Sequence, residues 1–428
     1  MARAKPRIFL GLVEVAGYYG NLARGLRELG LEADFVSFTE NKFAYPGASD
    51  IGPGLQSIRR LRGRLADSAQ PLSRRLACYG FGYLVLVLIY FLWAAVRYDV
   101  FIFGFRTHFL PGMLDLPLLR LCGKRIIFVF HGSDSRPPYL SGNYFEASPQ
   151  TLLRLTRRMR REIGCINRYA QHIVDHPPTT HFHRRPVVRW LAMGIPFSAP
   201  QIEARPAAVA AGRSLVAVHA PSRPREKGSQ TIRAAVQALQ LAGAPLELVE
   251  LINRPNREVL ETLAGCDFVI DELYSDTAMA GLATEAAWFG RPSVVGGYEI
   301  QDLLDAMALD EVPPAQVVRP ERLREGIQSL MAELQRGRDP GRQAQAFVRG
   351  RWTPVEVARR YLRLITDGPP AEWLWDPAQT SFVHGWGLHA EQRDELLRRY
   401  VRACGSSALG LTDKPALERK LLEIAGAG

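Results

Sequence analysis

The stretch CDFVIDELYSDTAMAGLATEAAWFGRPSVVGG, Cys266 to Gly297, constrains the fold more than any other part of the chain. Asp267 to Ile270 and Pro292 to Val295 are short β-branched runs, as expected of strands buried in a parallel sheet. Between them Gly281 to Phe289 is rich in Ala and Leu. It ends at Gly290 and is followed by Pro292, the pattern with which a helix stops. Strand, helix and strand in one direction predict an open α/β sheet.

In such sheets ligands sit at the carboxyl ends of strands and at helix N-termini, where free N–H groups and the helix dipole favour phosphate. Glu285, one turn in from Gly281, is placed to accept hydrogen bonds from a ribose diol. The competing reading is a solvated helix carboxylate. Upstream, Leu215 to His219 (LVAVH) reads as a strand running into the basic loop APSRPREKGS and a helix from about Ser229. Arg223 and Lys227 in that loop are a fork and a point donor suited to phosphate; the alternative is an exposed turn. The chain opens in the same way. RIFLGLVEVAGYYGNLARGLRELGLEADFVSF reads as a strand, a loop with Gly17 and Gly20, a helix from Asn21 to Leu29 and a second strand. The two glycines let that loop approach a ligand closely, although such loops are also plain turns.

The Cys266–Gly297 segment resembles the donor-binding core of glycosyltransferases with the two-Rossmann-domain (GT-B) fold, most of all the retaining, family-4-like group. That group commonly carries two glutamates eight positions apart, the second on the ribose and the first near the sugar. Glu285 matches the second; Thr277 stands where the first is expected. The resemblance also implies that Arg223 and Lys227 bind the donor diphosphate. It implies too that Gly281 and Thr277 border the donor, and that His131, in HGSDSR after an apolar strand, contacts the sugar across the cleft.

A chain of 428 residues suits two cores. The expected division is a first Rossmann-like, acceptor-side domain over 1–200, a hinge over 201–212 and a nucleotide-sugar domain over 213–350. A crossover helix over 351–368 and a helical appendage over 369–428 complete it. The appendage contains Trp373, Trp375, Trp386 and a charged helix from Ala390 to Arg402, and carries no motif.

The net charge of +11 implies an anionic partner. A nucleic-acid role would rest on charge alone, since no RRM, KH or zinc signature accompanies it. The five cysteines are scattered without a CxxC pair, so neither a zinc site nor a disulfide framework is signalled and a reducing cytoplasm fits. Ala77 to Val96 is uncharged and mostly apolar between arginines, long enough for a transmembrane helix. A span would, however, divide the strands of the first domain between two sides of a bilayer. The expectation is therefore a buried or membrane-surface helix whose arginine flanks suit anionic headgroups. In Leu152–Ile166 an apolar stripe opposes Arg154, Arg157, Arg158 and Arg161, either a solvated face or a cationic strip.

Sugar transfer needs charge to stabilise a leaving diphosphate, a sugar pocket and a route for the acceptor proton. Arg223 and Lys227 supply the first. No DxD motif lies in a suitable loop, so no metal and no cofactor is expected beyond the nucleotide sugar as co-substrate. His131 and Asp134 are the candidates at the sugar, with capped-turn roles as alternatives. Glu14 is the candidate base for an inverting reaction, and Arg106 a weaker neighbour. The sequence therefore predicts a metal-independent glycosyltransferase acting on a glycan or lipid-linked acceptor, with no nucleic-acid partner. It is expected to be cytoplasmic and peripheral at the inner membrane face. A nucleotide-sugar epimerase, or a non-catalytic nucleotide binder on the same fold, is the alternative.

Overall fold

The computed structural model describes residues 5–39, 47–67, 71–199, 201–204, 213–305, 307 and 311–427. Most of the expected hinge, residues 205–212, lies outside the described residues, as does part of the polar stretch after Phe38.

Two parallel sheets face each other across a cleft, the GT-B arrangement. The first sheet has the order β12-β6-β5-β4-β3-β1-β2. Its strands are β1 Ile8–Leu12, β2 Ala33–Ser37, β3 Val100–Gly104, β4 Arg125–Val129, β5 His172–Asp175, β6 Val187–Arg189 and β12 Leu374–Trp375. All neighbours run parallel except β12, which pairs antiparallel with β6. The second sheet has the order β11-β10-β9-β7-β8 and is parallel throughout. Its strands are β7 Leu215–His219, β8 Leu246–Glu250, β9 Phe268–Ile270, β10 Ser293–Gly296 and β11 Gln316–Val318. The central strands are buried along their whole length, which is why they read as continuous apolar runs rather than alternations.

Both faces of the first sheet are covered. On one lie the helix Tyr18–Glu28 and the crossover helix Pro354–Thr366, which pack on each other. Their contact is close because residue 25 is glycine: a Cβ there would stand 2.0 Å from the Pro354 carbonyl oxygen. The Tyr18 and Tyr361 hydroxyls meet at 2.8 Å, so the polar atoms of this seam are satisfied. On the other face lie the apolar helix Leu72–Arg97, the short helix Asp115–Leu121, the arginine-rich helix Pro149–Tyr169 and the tail helices Ala390–Cys404 and Pro415–Ile424. The expected apolar stripe packs there, with Leu152, Met159, Ile163 and Ile166 buried. The tail is thus built into the first lobe by an edge strand and two helices.

Of the two alternatives for the apolar helix, buried or at the surface, full burial does not hold. Within Phe81–Arg97 only Val87, Tyr90, Phe91 and Ala94 are buried, and nothing in Leu72–Gly80 is. Leu76, Phe81, Leu84, Leu88, Leu92 and Val96 are exposed, Phe81 to 79%. The helix connects β2 to β3, which lie on either side of β1 in one sheet. A transmembrane placement would tear those strands apart.

Candidate functional site

The carboxyl ends of both sheets open onto one cavity of about 460 Å³, between the lobes. From the second lobe it is lined by Arg223, Lys227, Thr277, Gly281 and Glu285, and from the first by His131. Of the sequence-predicted donor residues, Arg223, Lys227, Thr277, Gly281 and Glu285 therefore converge on one space.

Local folding explains their placement. Gly228, at φ 75°, ends the basic loop and starts the helix Ser229–Leu241, fixing Lys227 just before it. His219, at the end of β7, bridges that helix to β9 by hydrogen bonds to Ser229 Oγ and the Ile270 carbonyl, both 2.8 Å. Lys227 Nζ stands 3.7 Å from Asp271 Oδ1, and Arg223 donates to Asn143 Oδ1 across the cleft. Burial alone would depress the lysine, but Glu272, Asp271 and Glu285 raise its pKa, so it is a permanent cation. The helix Gly281–Trp288 projects Glu285 into the cavity, where Asn256 Nδ2 donates to its Oε1 at 2.8 Å. Burial, reinforced by Asp271, lifts the Glu285 carboxyl to about 7; the Asn256 hydrogen bond and Lys227 oppose the shift.

His131 Nε2 meets the Tyr19 hydroxyl at 2.8 Å. Burial, with nearby His176, lowers the imidazole to about 3, so at neutral pH it is a hydrogen-bonding group and not a cation.

Five expected site residues lie off the cavity lining. Glu14 does not line the cavity: its carboxylate accepts the backbone N–H groups of Val15, Tyr19 and Gly20 at 2.8, 3.1 and 2.9 Å. It caps the first turn of a helix, which is where an acid finds free N–H groups, and is not placed as a base. Gly20 lies inside the helix Tyr18–Glu28, and Gly17, at φ 78°, is the turn into it. Neither lines the cavity; their neighbours Val15, Ala16 and Tyr18 do. Asp134 is buried behind the cleft and accepts the His131 N–H at 2.8 Å, holding the loop that presents the imidazole. Arg106 pairs with Glu162 and is likewise absent from the cavity lining.

Several cavity residues went unread. Arg136 of the first lobe is bonded to Asp276 of the second. Glu272, Asn256, His176 and Trp190 also line the space, as does Trp386 from the tail. Glu272 and Asp276 were visible as acids just after β9. Trp386 had no signal, since it arrives from a distant segment. Among the described residues no group of His, Cys, Asp and Glu is arranged to hold a metal ion.

No family model matches the chain, and no curated protein matches its sequence. Among solved structures, HepE of Anabaena in complex with UDP and glucose is similar over 85% of this chain and 100% of its own, at 13% identity and a TM-score of 0.49. A putative UDP-N-acetylglucosamine 2-epimerase from Listeria monocytogenes is similar over 86% and 99%, at 13% identity and 0.44. The glycosyltransferase SnogD from Streptomyces nogalater is similar over 84% and 100%, at 17% identity and 0.40. These are distant similarities of shape; function must be argued from the cleft's own residues.

Proposed function

We propose that this chain is a glycosyltransferase that moves a sugar from a nucleotide-diphosphate donor to a glycan or lipid-linked acceptor, with retention of configuration. The observation that carries the reading is the convergence of Arg223, Lys227 and Glu285 on one interlobe cavity. Glu285, steadied by Asn256, accepts the ribose hydroxyls; Lys227 and Arg223 hold the diphosphate. The neutral imidazole of His131 faces the sugar from the opposite lobe.

In the reaction the bond from the sugar C1 to the phosphate oxygen breaks, and a bond from C1 to the acceptor oxygen forms on the same face. The acceptor proton passes to the departing phosphate oxygen, so no separate base is required, in keeping with Glu14 being engaged as a cap. The lysine and arginine stabilise the negative charge that develops on the leaving diphosphate, and for this they need no divalent ion. Transfer is tested by incubating the protein with a panel of nucleotide sugars and a lipid-linked glycan extract, with EDTA in a parallel arm. No turnover of any donor, or complete loss with EDTA, would defeat the corresponding claim.

The protein is further proposed to work at the cytoplasmic face of the membrane as a peripheral enzyme. The support is the unpartnered apolar side of Leu72–Arg97. Beside it on the same layer stand exposed Leu114, Leu118 and Leu121 and the guanidinium face of Pro149–Tyr169. An apolar strip bordered by cations fits an anionic lipid surface.

A second reading has one observation in its favour. Glu272 and Asp276 add carboxylates to the cavity, which suits a nucleotide-sugar epimerase better than the sequence suggested. Product analysis with donor alone separates the two: an epimerised nucleotide sugar supports the second, slow release of free sugar and nucleoside diphosphate the first.

A further inference from the structure

The tail crosses the mouth of the cleft over residues 382–388 and is bonded to both lobes. On the first-lobe side Trp386 N–H donates to the Leu140 carbonyl at 3.2 Å, and Gly142 N–H to the Trp386 carbonyl at 2.8 Å. On the second-lobe side Gly387 N–H donates to the Tyr274 carbonyl at 2.9 Å. The Val383 and His384 N–H groups donate to the Glu299 carboxylate. Backbones meet so closely here that a Cβ on Gly142 would lie 2.2 Å from the Gly387 carbonyl oxygen. Trp386 is therefore fixed on both sides. Its indole N–H donates to Glu272 Oε2 at 2.5 Å, and the Arg136 guanidinium lies 5.7 Å from its ring centre.

Glu272, Asp276, Trp386 and His176 line the same cavity as the cations suited to a diphosphate, and the Trp386–Glu272 and Arg136–Asp276 bonds tie the tail and both lobes together there. Three buried polar atoms of this lining have no hydrogen-bond partner among the described residues: Thr277 Oγ1, His176 Nδ1 and Trp190 Nε1. Buried polar atoms left unpaired are costly, and a ligand carrying several hydroxyls answers them together.

Resting on the nucleotide-sugar reading above, we propose that Trp386 of the tail and Glu272 build the sugar subsite of this cleft. The subsite selects an uncharged pyranosyl group over a uronosyl one. The indole wall suits the C–H face of a sugar ring, and Glu272 accepts from its hydroxyls. A sugar carboxylate would meet Glu272 and Asp276. The Arg136 guanidinium, which lies over Trp386, is already committed to Asp276.

The test is calorimetric, on the full chain. UDP, GDP, ADP and dTDP are titrated first, and then the glucosyl and glucuronosyl conjugates of whichever base binds. The wild type should hold the glucosyl donor at least ~10-fold more tightly than the glucuronosyl one, as like-charge juxtaposition demands. Glu272→Gln should shrink that ratio to about 2-fold by removing one of the two like charges. Trp386→Ala should weaken the glucosyl donor ~10-fold through the lost ring contact, with Trp386→Phe intermediate. Both Trp386 variants should keep the affinity for the bare nucleoside diphosphate, and Glu272→Gln should not weaken it, since the lost charge is of the diphosphate's own sign. Equal or tighter binding of the glucuronosyl donor by the wild type would overturn the proposal. So would variants that weaken the bare diphosphate as much as the sugar donor, since the tail would then be a brace and not a wall. Absence of binding by every nucleoside diphosphate rejects instead the nucleotide-sugar reading on which the proposal stands.

Discussion

Arg136 of the first lobe donates through Nε to Asp276 Oδ2 of the second at 2.9 Å, and the two side chains are only 3% and 11% exposed. This pair spans the cleft, and the loops bearing it leave β4 and β9 at their carboxyl ends. Removing one member leaves a buried charge uncompensated, which typically costs about 3 kcal/mol or more, whereas replacing both by apolar residues is often nearly neutral. Arg136→Met should therefore lower the denaturant midpoint more than Arg136→Met with Asp276→Leu does. A double variant less stable than the single one would mean that the pair is not what holds these loops.

Lys227 is a cation held among three carboxylates, and nucleotide binding should depend on it strongly. Lys227→Met should weaken nucleoside diphosphate binding by about 2 kcal/mol, roughly 30-fold, the value of a charged hydrogen bond. Arg223, which is more exposed, should lose less on conversion to Ala. Calorimetry with the wild-type ligand reads both; unchanged affinity in the lysine variant would remove the diphosphate from the basic loop.

Glu285 gives the cleft a pH response. Its carboxyl is lifted to about 7 by burial, so it is mostly protonated at pH 6 and mostly ionised at pH 8. The ionised form accepts both ribose hydroxyls. Affinity for a nucleotide sugar, whose diphosphate does not titrate in this range, should rise by up to ~10-fold per unit below 7 and level off above it. Glu285→Gln should flatten the profile. Asp134 is also lifted to about 7, by burial and by Asp175, yet it lies off the cavity, so Asp134→Asn should preserve the slope. A slope that survives in Glu285→Gln assigns the titration elsewhere.

Flotation with anionic vesicles should require the outer side of the apolar helix. Leu84, Leu88 and Leu92 are exposed at four-residue spacing and so share a face. Converting all three to Glu should abolish flotation while leaving donor binding intact, because none of them lines the cleft. Equal flotation of variant and wild type would take this helix out of the membrane account.

The strands around the cleft were legible because buried parallel strands write themselves as unbroken β-branched runs, and their helices are closed by glycine and proline. Glu285, Arg223 and Lys227 were legible for the same reason, as each follows a strand within one sheet. Glu14 misled because an acid just after β1 looks identical in sequence whether it faces a ligand or folds back onto three amides. The sequence leaves the apolar helix either buried or at the membrane surface, because composition reports how apolar a segment is, not how much of it finds a partner. Trp386 was out of reach, since nothing local to HGWGL says that it inserts between two lobes encoded far upstream.

The first sheet ends in a strand made by Leu374 and Trp375, and its helical layer includes Leu396, Leu397, Tyr400 and Leu421 of the tail. The first lobe is therefore completed by residues that follow the whole of the second lobe in the chain. On the ribosome the second lobe has all its strands available first, while β6 keeps a bare edge and Phe130 and Tyr139 await their cover. Until residues 374–425 emerge, the nascent first lobe exposes apolar surface that these later residues cover.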